Sequence, residues 1–211
     1  MLELFERILE DVKEFDEKEQ HFVDRTTKHI ELVQRAANKI VQANILSQED
    51  SDKLIGQVSM HDASKFEEPE RIPYISITWR HKEDEANGEY DPINGKGYQT
   101  PGMLSKEEEN QATLHHVTTN SHHPEAHLEN KEDANIDSKD RDKSDKVVDV
   151  SAMPAVDIAE MIADWQAMSE ELQKNTAREW FDKQKDVRWH FSDEQVELID
   201  KLLKVFEKEN V

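Results

Sequence analysis

Cysteine is absent from this 211-residue chain. That excludes disulfides, thiolate nucleophiles and cysteine-type zinc sites, and it fits a reducing cytoplasm. Basic side chains are in deficit: 27 Lys and Arg face 48 Asp and Glu, for a net charge of −21. Non-specific binding to a nucleic-acid backbone runs on Lys and Arg neutralising phosphates, so none is expected. A small phosphorylated ligand held by a metal is not excluded. No apolar run approaches the roughly 20 residues of a membrane span. The N-terminal MLELFERILEDVKEF has acids where a signal peptide needs bases. Hydrophobic residues make up only 35%, against 36% charged. That balance predicts a modest core with solvated segments around it, in one domain spanning 1–211.

Where apolar residues do occur, they recur at helical spacing. Leu2, Phe5, Leu9, Val12 and Phe15 mark a first helix, and Phe22, Ile30, Val33, Ala37 and Ile40 a second that ends near Leu46. Ser47 is an N-cap followed by acids, opening a helix through Leu54, Ile55 and Val58. Turn signals crowd 67–103: Pro69, Pro73, Asn87-Gly88, Asp91-Pro92 and Asn94-Gly95. This stretch reads as an irregular insertion, with at most a short helical or extended piece at 71–82. Ser105-Lys-Glu-Glu108 is a capping box that starts a helix through Leu114 and Val117. Residues 129–150, of mixed charge and few apolar groups, read as a mobile loop. Helix returns at 153–173, and Thr176 and Ser192 cap two more. No strand pattern of any length appears. The fold class is all-α, a helical bundle with long loop insertions.

The chain has ten histidines, five of them within HHVTTNSHHPEAH at 115–127. The sharpest question comes from Met60-His-Asp-Ala-Ser-Lys-Phe66, where three ionisable groups stand between two large apolar residues. Buried charges without partners are costly. The stretch is therefore either an exposed turn or neutralised, with a metal ion as the leading candidate. If the second and third helices pair antiparallel about Ser47, His29 lies about 25 Å before the turn and His61 about 21 Å after it. The two imidazoles then reach similar heights on neighbouring helices, with Asp62 at the rim of the seam. Asp164 lies at the edge of a stripe formed by Met161, Trp165 and Met168. Asp157 is seven residues earlier on the same face, with Glu160 between them, so the last ligand stays open between the two aspartates. Two histidines and two aspartates form a mixed N/O set that suits Mn, Fe, Co, Ni, Zn or Mg. His115 or His116, with His122 or His123, could ligate a second ion.

These residues resemble the HD-domain superfamily of metal-dependent phosphohydrolases. Its pattern is a His, then a His-Asp dipeptide on a later helix, then a distant Asp, all within a helical bundle. The resemblance implies metal ligands at His29, His61, Asp62 and Asp164. His116, with His122 or His123, is similar to the extra histidines of members that bind two ions. Lys65 matches the lysine of the HDxxK form, which contacts substrate phosphate in some members. HDASKF, HHVTTNSHHPEAH and EMIADW together are also similar to a family of uncharacterised phage and bacterial proteins, over roughly residues 25–185. Nucleotidase members often have Glu where this chain has Lys65. The cyclic-dinucleotide branch carries GYP after its paired histidines, whereas Gly97-Tyr98 precedes them here.

The implied activity is hydrolysis of a nucleotide or related small phosphate ester by metal-activated water, with one or two divalent ions. Lys65 would offset charge on the phosphoryl oxygens. A histidine among His116, His122 and His123 would protonate the leaving oxygen. The expected partner is a small phosphorylated substrate, with a homodimer left open. Two alternatives compete: an acidic binding protein, such as a DNA mimic or host-factor inhibitor, and an HD-type di-iron oxygenase. Replacing His61 or Asp62 by Ala abolishes an enzyme and spares a mimic. His123-Pro-Glu-Ala-His127 has the spacing of a zinc-protease helix, but its Glu is misplaced for HExxH. Trp165, Trp180 and Trp189 read as core anchors.

Overall fold

A computed structural model describes residues 2–87, 104–134 and 147–207. Seven α-helices occur among them: α1 (Leu2–Gln42), α2 (Gln48–Val58), α3 (Arg71–Asn87), α4 (Lys106–Thr119), α5 (Ala155–Leu172), α6 (Ala177–Gln184) and α7 (Asp193–Glu207). The class is all-α, as the apolar spacing predicts. None of these helices is long and apolar enough to cross a membrane.

Helix α5 is the centre of the molecule and packs against α1, α2, α6 and α7. Every residue from Asp157 to Ala163 on it is buried. A helix buried all round is normally apolar all round, so the two acids within this run, Asp157 and Glu160, require partners. Val33, Ala36, Ala37 and Ile40 of α1 share one core with Ile158, Ala159, Ile162 and Ala163 of α5. Ile199, Leu202, Leu203 and Phe206 of α7 close it on the other side.

The helix starts are set locally. Ser47, Ser105 and Thr176 each accept a hydrogen bond from the amide three residues on, and the last two form reciprocal capping boxes with Glu108 and Glu179. Ser192 and Gln195 exchange the same pair of bonds at the start of α7.

Three expectations are corrected. The first two helices are one, because residues 16–21 hold no glycine or proline to end it. The gap in the apolar pattern marks exposure instead: Val12 is 52% and Phe15 40% exposed. The insertion at 67–103 is not irregular throughout, since residues 71–87 form α3, packed on α1 and α4. Pro73 falls in the first turn of α3, where no amide hydrogen bond is lost. The turn signals at 88–103 lie outside the described residues. The segment 129–150 is anchored at both ends by a 3-10 turn at Lys131–Asp133 and a parallel pairing of β1 (Val148–Asp149) with β2 (Trp189–His190). Val150 beside β1 is fully buried. Residues 135–146 lie outside the described residues.

Candidate metal centre

His29 comes from α1, His116 from the last turn of α4 and Asp164 from α5. His61 and Asp62 come from the turn after α2, and His122 and His123 from the segment after α4. The dipeptide is therefore not on a helix as expected. Asp62 has φ 59°, in the left-handed region, which Asp tolerates better than most residues. Consecutive helical side chains diverge by about 100°, whereas this turn lets His61 and Asp62 reach one place.

The reach is visible in the distances. Oδ2 of Asp62 lies 3.8 Å from Nε2 of His29 and 3.8 Å from Nε2 of His61. Oδ1 of Asp164 joins this group, 3.0 Å from His29 Nε2 and 3.9 Å from His61 Nε2. On the other side, Oδ1 of Asp62 lies 3.2 Å from Nε2 of His116 and 3.9 Å from Nε2 of His122. Asp62 thus stands between two clusters with one oxygen toward each. Two atoms that each bind one ion at about 2.1 Å sit roughly 3–4 Å apart, which is the range of these separations.

An outer ring of glutamates faces the other nitrogen of each ring. Nδ1 of His61 donates to Glu160 at 2.9 Å, and Nδ1 of His116 to Glu70 at 2.8 Å. Nδ1 of His29 faces Glu171 at 3.4 Å, and Nδ1 of His122 faces Glu160 at 3.6 Å. A proton held on Nδ1 leaves Nε2 as an inward lone pair and raises its basicity. Nε2 of His61, His116 and His123, and Oδ1 of Asp62, are covered yet make no hydrogen bond. Each such atom costs roughly 1–3 kcal/mol. This donor set fits a divalent ion.

Burial disfavours charge on every group here, and the pairings decide which keep it. Burial works against charge on His29, but the Asp164 and Glu171 carboxylates raise its pKa to about 9. Against the same burial, His29 holds Asp164 down at about 2, and His29 with Arg25 holds Glu171 at about 2. Asp62, also opposed by burial, is kept well below the usual carboxylate range by Lys65, His61 and His116. The Lys65 ammonium is 2.6 Å from its Oδ2. Burial, and then the neighbouring imidazoles, push His122 and His123 well below the usual histidine value. They are neutral near pH 7, as ligation requires, whereas His29 must release a proton to ligate.

The open alternatives close. His116 faces the centre, whereas His115 turns outward, 44% exposed, with Nδ1 on Glu70 at 2.7 Å. Asp157 accepts from Gln57 at 2.5 Å and Ser121 at 3.1 Å, so Asp164 is the aspartate that joins the histidines. His123 packs on His116 and His122, with ring centroids 4.9 and 4.2 Å away. His127 bonds to the Ser121 carbonyl instead. Glu70, Glu160, Glu171 and Tyr74 were not expected at the site. Two of them had a place in the pattern: Glu160 and Glu171 fall at helical spacing with Asp164 on one face of α5. Glu70 stands at the start of α3, within the stretch that the turn residues mark as irregular, and carries no such signal.

Residues 18–205 match a family of unknown function, DUF5662. The chain belongs to this family. No curated protein and no solved structure matches it. All of the converging side chains lie within the matched span.

The centre opens on a cavity of about 280 Å³ lined by His29, Asp62, Lys65, Tyr74, His116 and Asp164, among others. A second cavity of about 320 Å³ meets it at His123 and Asp164 and is walled by Trp165, Trp180 and Trp189.

Proposed function

We propose that this chain is a metal-dependent phosphohydrolase acting on a small phosphate ester, a nucleotide or a close relative. The observation that carries the proposal is the inward convergence of buried imidazole and carboxylate atoms, backed by an outer ring of glutamates. His29, His61, Asp62 and Asp164 would hold one ion, and Asp62, His116 and His122, with His123 alongside, a second. Such an ion would supply Lewis acidity and lower the pKa of water toward neutrality.

The remaining tasks fall to the chain. Lys65 is held between Asp62, at 2.6 Å, and the face of Tyr74, at 4.9 Å from the ring centre. It lines the cavity, where its ammonium can meet phosphoryl oxygens. Arg25 lines the same cavity, fixed by Glu171 at 2.6 Å. These two cations line the cavity in a chain of net charge −21, each paired with a carboxylate. His122 and His123, kept neutral by burial, suit ligation better than protonation of a leaving oxygen. The acidic-binder alternative leaves the converging imidazoles without a role.

The test is release of inorganic phosphate from a panel of nucleoside mono-, di- and triphosphates by protein loaded with Mn, Fe or Zn. At least one ester should turn over, with activity lost in Asp62→Ala. Lys65→Ala should keep its metal yet lose about a hundredfold in kcat/KM. Fully loaded protein that releases phosphate from no ester would overturn the proposal and leave metal binding standing.

A further inference from the structure

The aromatic cavity beside the centre is not explained by packing. Trp189 is buried in the core at 4% exposure, and Trp165 packs against that core. Their rings stack at 5.9 Å with planes 18° apart, a fixed flat surface. Trp180 differs. Its neighbours Ala177 and Phe181 fill the core from α6, but Trp180 is half-buried and belongs to neither the core cluster nor the side chains packed on it. It lines the cavity instead. Trp189 gives its indole N–H to Glu125 at 3.2 Å, while those of Trp165 and Trp180 have no protein acceptor among the described residues.

Two cations line the cavity, Arg188 and Lys174. Arg188 is tied to Glu125 at 2.5 Å and lies 4.3 Å over the Trp189 ring, so the carboxylate offsets its charge. At about 320 Å³ the space is at the low end for a ligand site, roughly 300–1,000 Å³, enough for one ring system. Its border with the metal cavity runs along Val117, His123, Asp164 and Met168. A molecule seated at the centre can therefore extend across that border between the indoles.

We infer that this cavity receives a flat aromatic ring carried by the leaving group of the ester. The inference rests on the phosphoester reading above and adds a specificity site to it, with Trp180 as the stacking face. Aromatic stacking of this kind tolerates many rings because each offers a π-face.

The experiment compares two phosphonates that cannot be hydrolysed, (1-naphthyl)methylphosphonate and butylphosphonate, titrated calorimetrically into the full-length, manganese-loaded protein. The naphthyl compound should bind about tenfold tighter or more. Trp180→Ala should abolish that preference while leaving butylphosphonate affinity and manganese content unchanged, and Trp180→Phe should retain most of it. Should Trp180→Ala not fold, Trp180→Leu, which keeps apolar bulk without a flat face, must show the same loss. Equal binding of the two compounds to wild type, or a preference that survives in the folded variant, overturns the ring site alone. Binding of neither compound to fully loaded protein overturns the phosphoester reading and the ring site with it.

Discussion

Glu160 sits fully within an apolar run of α5, and two imidazoles, those of His61 and His122, turn Nδ1 toward it. A carboxylate in that position fixes which nitrogen holds the proton and makes the other a better donor to a cation. Glu160→Gln keeps the shape and removes the charge. Metal affinity should fall by about 10- to 100-fold, measured by competition with a chelator, and an unchanged affinity would reduce Glu160 to a packing residue. The inner residues were legible before any coordinates, because His, His-Asp and Asp in that order on a helical chain form a known pattern. The partners of the outer glutamates were not, although Glu160 and Glu171 share a helical face with Asp164. Glu160 meets His61 across 99 positions of sequence, and no local spacing reports such a pairing.

At the scale of elements, the link between α1 and α5 combines an apolar seam with a charged one. Ile162 is fully buried in the seam, and Ile162→Ala should cost about 2–5 kcal/mol of stability in urea unfolding. The charged seam is His29 with Asp164 and Glu171. The folded pKa of His29, about 9, exceeds its unfolded value near 6.5. Its contribution is therefore complete below about pH 6.5 and lost as pH rises through about 9. Asp164 and Glu171, held at about 2, contribute above roughly pH 4 and lose it as pH falls through about 2. The metal-free protein should then lose thermal stability between about pH 6.5 and 9, and His29→Gln should flatten that slope. A variant with the wild-type slope would remove His29 as its source. Helix caps and the 3.6-residue apolar period made α2, α4, α5, α6 and α7 readable. The unity of α1 and the existence of α3 were not, because a polar gap and a first-turn proline imitate boundaries. The two-residue strands were invisible for another reason: they exist only through their pairing.

At the scale of the whole molecule, four separate regions of chain bring buried imidazoles and carboxylates to one point: α1, the turn after α2, the end of α4 with the segment after it, and α5. The turn after α2 is the pivot, since Asp62 turns one oxygen toward each cluster. Removing its carboxylate should release whatever the histidines hold. The most direct measurement is elemental analysis of wild type beside Asp62→Ala, both purified without a metal-affinity tag and both offered Mn, Fe and Zn. One or two equivalents of a divalent metal in the wild type, lost in the variant, is the predicted result. Equal metal in both proteins, or none in either, would contradict the metal centre and the chemistry proposed on it.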